Sequence, residues 1–192
     1  MYILSHAIES SQEIQFVAKQ TNQSCSQIFL KSAFLTKKKE NYSTEDLKRL
    51  VDFSRAACLT SNPDIIWQIA YVESGFEMRV IGIPGKGKLV GSAAENFTKN
   101  LTSPINIDIG PIQINWRAHG FHSGFAPEQF FSGVFSLDYA TKKIVPNVLR
   151  DCKSNWINCY NSKNQRLGQV YRKKIDSADI VLRKNLYSIL KS

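Results

Sequence analysis

No apolar run in this 192-residue sequence approaches the roughly 18 residues that a membrane-spanning helix needs, because Lys, Glu, Asn or Gln interrupts every hydrophobic stretch. A helical membrane span is thereby excluded, and the chain is expected to be soluble. Cysteines are few, four in all, and none falls in a C-x-x-C pair, which argues against a zinc site or a thioredoxin-like redox motif. An export signal is also missing. Met1 to Gln20 lacks a basic start followed by an apolar stretch of about 7 to 15 residues, and it carries Glu9 and Glu13. Either the signal is not part of this chain or export takes another route. The sequence has no internal repeat, no low-complexity tract and no clear strand-turn-strand pattern. Acidic residues are outnumbered, 16 Asp and Glu against 25 Lys and Arg, for a net charge of +9. That charge favours polyanionic partners, among them nucleic acid, anionic envelope polymers and membrane surfaces, without choosing between them.

What is present suffices for one ordinary core: 43% of the residues are apolar, 11% aromatic and 21% charged. Disorder, collagen and coiled coil do not fit this composition. Residues 1–42 are polar and weakly periodic, end in the Lys37-Lys38-Lys39 run, and read as an N-terminal extension, helical or partly ordered. Within it, Gln15 to Leu35 has room for one or two short helices, with Phe16, Val17, Ile28, Phe29, Phe34 and Leu35 available for docking.

Residues 43–192 read as the main domain. A helix opens at Ser43-Thr44 with Asp46 in a capping-box-like position, and Leu47, Leu50, Val51, Phe53, Ala57 and Cys58 follow helical spacing. The next has Asn62 as N-cap, Pro63 at the first position and Asp64 in the positive first turn; it runs to Ser74 and stops at Gly75. Residues 82–91 are glycine-rich and predict a loop, and Ser92 to Leu101 predicts a helix. Asn106 to Trp116 alternates apolar and polar residues, the pattern of a strand. Helices are expected again over Ser136 to Asp151, Asn155 to Asn161 and Gln165 to Leu190. The fold class is therefore mostly α.

The even cysteine count leaves two disulfides or four buried thiols. Cys152 and Cys159 would stand about 10 Å apart along one continuous helix, beyond the roughly 7 Å Cα limit of a disulfide. A bridge there requires a bend, which Ser154 and Asn155 suit.

Glu73 is the candidate for chemistry. Ile66, Ile69 and Ala70 precede it by seven, four and three positions, so all four share one helical face. That face is apolar, and the position falls in the last turn, where the helix macrodipole opposes negative charge. Both effects raise a carboxyl pKa, which is what a general acid needs to protonate a poor leaving group such as a glycosidic oxygen. Periodicity alone favours a plainer role, capping or pairing with a Lys. Three motifs in one order shift the balance: Glu73-Ser74-Gly75-Phe76, Gly110-Pro111-Ile112-Gln113-Ile114 with Asn115 following, and Cys159-Tyr160-Asn161.

These motifs resemble those of the goose-lysozyme-like (SLT) domain of the lytic transglycosylases, which cleave peptidoglycan glycan strands. The first matches that family's Glu-Ser at the end of an apolar helix, the second its Gly-Leu-Met-Gln-Ile-like turn, the third its Ala-Tyr-Asn. Phe53 to Cys58, Ile81-Gly82-Ile83, the small helix before Asp108 and Trp156 to Tyr171 are similar to the branch found with type III and type IV secretion or conjugation machines. The resemblance covers about residues 45–176.

It implies a mostly α, lysozyme-like fold that cleaves the MurNAc-GlcNAc β-1,4 bond and forms 1,6-anhydroMurNAc, with no cofactor and no metal. Glu73 would be catalytic; Ser74, Gln113, Asn115, Tyr160 and Asn161 would bind substrate, and Trp116 is a candidate for lining the groove. The partners implied are glycan strands and secretion or conjugation proteins, with no specific nucleic acid, and the chain is expected to be a monomer. The location implied is the periplasm or cell envelope, where paired cysteines persist; the pairs expected are Cys152 with Cys159 and Cys25 with Cys58. Pro111 departs from the family's Leu and removes a backbone donor. Ser162-Lys163-Asn164 stands where a glycine-rich turn is usual, and the 82–106 stretch is longer than the minimal loop.

The alternatives are a hydrolytic muramidase, for which Asp108 is the obvious second carboxylate but reads first as a turn or cap residue, and a non-catalytic peptidoglycan-binding or apparatus-docking module. His119-x-x-His122 lies beside Gly120 and Gly124 and reads as turn histidines rather than a metal site. Trp67 and Trp156 read as core residues. Arg172, Lys173 and Lys174 read as a solvated helix face.

Overall fold

The computed structural model describes residues 12–36, 42–152, 156–161 and 164–192. The Lys37 to Lys39 run, the bend expected at Ser154 and Asn155, and Ser162-Lys163 lie outside them. Along the described residues the chain forms α1 (Glu13–Thr21), α2 (Cys25–Thr36), α3 (Thr44–Cys58) and α4 (Pro63–Glu73). There follow β1 (Val80–Ile83), β2 (Gly87–Val90), α5 (Ser92–Thr98), β3 (Asp108–Ile109) and β4 (Ile114–Asn115). The C-terminal part forms α6 (Gly133–Tyr139), α7 (Val145–Cys152), α8 (Trp156–Asn161) and α9 (Gln165–Leu190). The protein is mostly helical, with one small antiparallel sheet.

Helix starts follow the side chains that cap them. The Ser43 hydroxyl accepts the Asp46 amide at 3.1 Å, and the Asn62 and Asn164 carbonyls accept the Ile65 and Leu167 amides at 3.1 and 3.2 Å. Helix α4 is buried on every side from Pro63 to Ala70, as an all-round apolar helix must be. Helices α1, α2, α3 and α9 pack around it.

The N-terminal helices share this core: Ile14, Val17, Ile28, Phe29 and Ala33 are buried in it, while Phe16, Phe34 and Leu35 of the expected docking set remain exposed. Asp64 does not simply decorate its own helix start. Its carboxylate accepts the Glu13 and Ile14 amides at 2.7 and 3.1 Å, capping α1 from across the interface. A disulfide joins Cys25 at the start of α2 to Cys58 at the end of α3 with a Cα separation of 6.0 Å. Packing therefore crosses the division placed at residue 42. The second disulfide, Cys152 to Cys159 at 6.4 Å, is possible because α7 ends at Cys152 and α8 starts afresh at Trp156.

The sheet has strand order β2-β1-β3-β4, antiparallel throughout. It corrects two expectations. Residues 82–91 are no loop: β1 and β2 form a hairpin closed by Pro84-Gly85-Lys86, with Gly85 at φ +73° and the Lys86 amide on the Ile83 carbonyl at 3.0 Å. The alternating 106–116 segment is two strands of two residues each, folded on the turn from Gly110 to Gln113. Alternation reads the same in a tight hairpin as in one strand, so pattern could not separate them.

The helix expected over 136–151 is wider than regular between α6 and α7, where Ala140–Ile144 is a π-helical turn. Pro146 lies just beyond, and its ring would clash with the Lys142 carbonyl in a regular α-helix.

Candidate active site

Glu73 is the last residue of α4 and is half-buried. The chain leaves it through Ser74 into two successive left-handed residues, Gly75 at φ +62° and Phe76 at φ +64°. The Gly75 amide reaches back to the Tyr71 carbonyl at 3.1 Å, the αL cap that glycine permits. For an aromatic residue positive φ is a strained outlier. It is held there by burial: the Phe76 ring lies 5.0 Å from Trp67, 6.2 Å from Tyr71 and 6.3 Å from Phe29, centroid to centroid. Lys88 on β2 donates its ammonium to the Glu73 backbone carbonyl, setting a cation at the negative end of α4.

The second motif stands on β3 and β4. Gln113 also has a positive φ, +51°, and its amide donates to the Gly110 carbonyl at 2.9 Å while its side-chain oxygen lies over Gly82 of β1, where a β-carbon would overlap it. Gly110 has φ +82° and presses against the Phe130 carbonyl, a position closed to any side chain.

Asn115 is fully engaged in structure. Its amide donates to Asp108 and to Asn106, each at 2.9 Å, and its carbonyl accepts the Ala118 amide at 2.9 Å, capping the turn Trp116–Gly120. Burial pushes the Asp108 carboxyl above the usual carboxylate range, and the Asn115 hydrogen bond works against that rise.

The third motif reaches the second through Tyr160, whose hydroxyl donates to the Ile112 carbonyl at 2.9 Å. Its pKa is driven up by burial first, then by the Glu73 and Asp108 charges, so the phenol stays protonated. Asn161 ends α8; its side chain is outside the described residues.

The predicted residues thus divide. Tyr160, near the end of α8, is bonded to the turn between β3 and β4 that carries Gln113, and lies near enough to the end of α4 for the Glu73 charge to act on it. Ser74 is buried and its hydroxyl donates to the Ala70 carbonyl at 2.9 Å, so it serves α4 rather than an open cleft. Trp116 is 4% exposed, gives its indole N–H to the Ser103 carbonyl at 3.1 Å and packs edge-on against Phe121 and Phe130. It belongs to the core, which corrects its candidacy for lining a groove.

Tyr171 on α9 was missed by sequence reasoning. It stacks beside Tyr160 at 6.2 Å, and its pKa is raised by burial first and then by the charge of the Glu73 carboxylate. Its place on the buried face of α9, four residues before Ile175, is the signal that pointed inward.

His119 is half-buried, with its pKa lowered by that burial, and His122 is exposed. Among the described residues no cluster of three or more His, Cys, Asp or Glu is arranged to hold a metal. A cavity of about 510 Å³ lies away from Glu73, between the end of α3 and the α6-α7 region, lined by Leu59, Val134, Leu137 and Val145, and includes no motif residue.

No family model matches this chain, and no curated protein or solved structure matches it.

Proposed function

We propose that this chain is a peptidoglycan lytic transglycosylase with a goose-type, lysozyme-like domain, and that Glu73 is its acid and base. The observation that carries the reading is the convergence of three motifs distant in sequence. The charge of Glu73 acts on the Tyr160-Tyr171 pair, Tyr160 is tied to the turn that carries Gln113, and the backbone on both sides, at Phe76 and Gln113, is held in strained left-handed geometry.

In the proposed reaction the Glu73 carboxyl gives its proton to the glycosidic oxygen between MurNAc and GlcNAc as the C1–O bond breaks. GlcNAc leaves with its 4-hydroxyl. The muramoyl O6 then bonds to C1 and surrenders its proton to the Glu73 carboxylate, which restores the acid and closes the 1,6-anhydro ring without water. In this reading Gln113 binds sugar hydroxyl or N-acetyl groups. The excess of basic residues suits a substrate whose peptide stems are anionic.

The observation favouring a hydrolytic muramidase is Asp108, a second carboxyl with raised pKa near the same turn. Its hydrogen bond to Asn115 supports a structural role, and a single working acid favours transglycosylation over the two-carboxylate hydrolases. The two disulfides accord with action in an oxidising compartment, and we assign the work to the cell envelope, opening the wall for a secretion or conjugation apparatus.

Digestion of purified sacculi followed by mass spectrometry of the products tests this. Anhydromuramoyl ends are expected, and Glu73→Gln should lower turnover by about 10²- to 10⁴-fold. Reducing muramoyl ends would replace the reading by the muramidase, and undiminished digestion by Glu73→Gln would remove Glu73 from the mechanism. A wild-type protein that retains sacculi without cutting them would be a binding module.

A further inference from the structure

We propose that the outward face of α9 is a docking surface for an anionic phospholipid bilayer, on which the helix lies flat at headgroup depth. The inference stands apart from the proposed reaction and uses none of its residues.

Helix α9 has 26 residues, about 39 Å at 1.5 Å per residue. Gly168, Ile175, Leu182 and Ile189 are buried and recur at heptad spacing, which fixes the side of the helix turned to the core. Lys173, Ile180 and Tyr187 each follow one of these by five positions, and Val170, Ser177, Lys184 and Lys191 by two. Those offsets are about 140° and about 200° around the axis, so both rows face away from the core, and every residue in them is exposed.

This face carries four cations, Arg166, Lys173, Lys184 and Lys191, and no acidic residue. The two acids of the helix are engaged elsewhere: Asp176 holds Arg172 at 2.8 Å and Asp179 holds Arg183 at 2.7 Å. Among the described residues none of the four cations has an acidic partner. Between them stand Val170, Ile180 and Tyr187, which are 50%, 70% and 59% exposed. The Lys191 ammonium lies over the Tyr187 ring, 4.2 Å from its centre.

The charge calls for an anion, and the interleaved apolar side chains decide which. A nucleic-acid backbone gains nothing from Val170 or Ile180, and a packed protein interface would have to desolvate the lysines lodged between them. A bilayer surface suits both. Lysine stems lie along it with their heads among the lipid phosphates, tyrosine sits at headgroup level, and isolated aliphatic side chains enter the acyl boundary. At such a surface each basic residue is worth about fivefold in binding. The contact is with the surface and not a span: among the described residues no helix is long and apolar enough to cross a membrane.

Sedimentation of the full chain with vesicles of phosphatidylglycerol and phosphatidylcholine tests this, with phosphatidylcholine vesicles as the reference. Binding should require phosphatidylglycerol and fall steeply between about 0.1 M and about 1 M salt, as the screening length drops from about 10 Å to about 3 Å. Lys173→Glu combined with Lys184→Glu should weaken it by about 100-fold or more, and Ile180→Ser combined with Tyr187→Ser by about tenfold. Lys99→Glu combined with Lys142→Glu makes the same change in net charge outside α9 and should cost far less. Equal losses in the two charge-reversed variants, or equal binding to both kinds of vesicle, overturn the proposal.

Circular dichroism verifies that the variants fold, and a second reading needs no charge reversal. Trp67, Trp116 and Trp156 are buried, so Ile180→Trp adds an exposed indole, whose emission should shift to the blue when phosphatidylglycerol vesicles are added. Unmoved emission overturns the proposal. So does double-stranded DNA that displaces the protein from vesicles at equal phosphate concentration, which would give this face to nucleic acid. A protein that binds the vesicles without cutting sacculi removes the proposed function alone, and one that cuts sacculi without binding vesicles removes only this assignment.

Discussion

Two glycines beside the candidate site answer differently to the same substitution. At Gly110, with φ +82°, a β-carbon would run into the Phe130 backbone carbonyl, which cannot move aside without shifting its helical turn. Gly110→Ala should therefore cost about 2–3 kcal/mol or more in urea unfolding. At Gly82 the obstacle is only the end of the Gln113 side chain, so Gly82→Ala should change stability by less than about 1 kcal/mol. It should instead evict Gln113 from the Gly110 carbonyl and weaken retention on sacculi. Equal losses in both variants would contradict this contrast.

At this scale the position of Glu73 was legible, because a carboxylate on the apolar face at a helix end is set by spacing within one element. The fates of Ser74, Asn115 and Trp116 were not. Each is decided by a partner that periodicity does not reveal: the Ala70 carbonyl, Asp108 and the Ser103 carbonyl.

Among the elements, helix starts were the most readable feature. Ser43 and Asn62 cap from within their own turn, so the signal is local. The small sheet was obscured by glycine, by strands of two residues, and by the exposure of β2, which leaves little alternation to detect.

The disulfides operate between elements. The Cys25–Cys58 bridge closes 33 residues, and its removal by paired Ala substitution should lower unfolding free energy by about 3–4 kcal/mol, whereas the seven-residue Cys152–Cys159 closure should be worth about 2 kcal/mol. Urea titrations of the two double variants, read as shifts in midpoint at constant slope, check the order. A reversed order would mean that α7 and α8 depend on their link more than chain entropy implies.

Across the whole molecule, Asp64 couples acidity to the docking of α1. Burial pushes its carboxyl from an ordinary 3.8 up to about 6, with Glu13 and Asp179 adding to the rise and the Glu13 and Ile14 amides opposing it. Arg183 on α9 faces the same cluster, bonded to Glu13 at 2.6 Å and to Asp179 at 2.7 Å. Because the folded state holds this proton more tightly than the unfolded state, the contribution is fully present below the unfolded value and is lost as pH rises through about 6. Between pH 4 and 7 the urea midpoint of wild type should fall relative to Asp64→Asn, by an amount approaching about 2–3 kcal/mol in stability. Parallel curves would show that Asp64 titrates alike in both states.

The left-handed turn at Gly75 and Phe76 binds interior and chemistry into a single inheritance. With Phe76 riveted among Phe29, Trp67 and Tyr71, the turn that follows Glu73 is fastened to rings packed beneath it. A transplant of the Glu-Ser-Gly-Phe tetrapeptide into a foreign helix would carry the letters and lose the aim, and a conservative swap of any of those three rings should disturb the proposed acid from a distance.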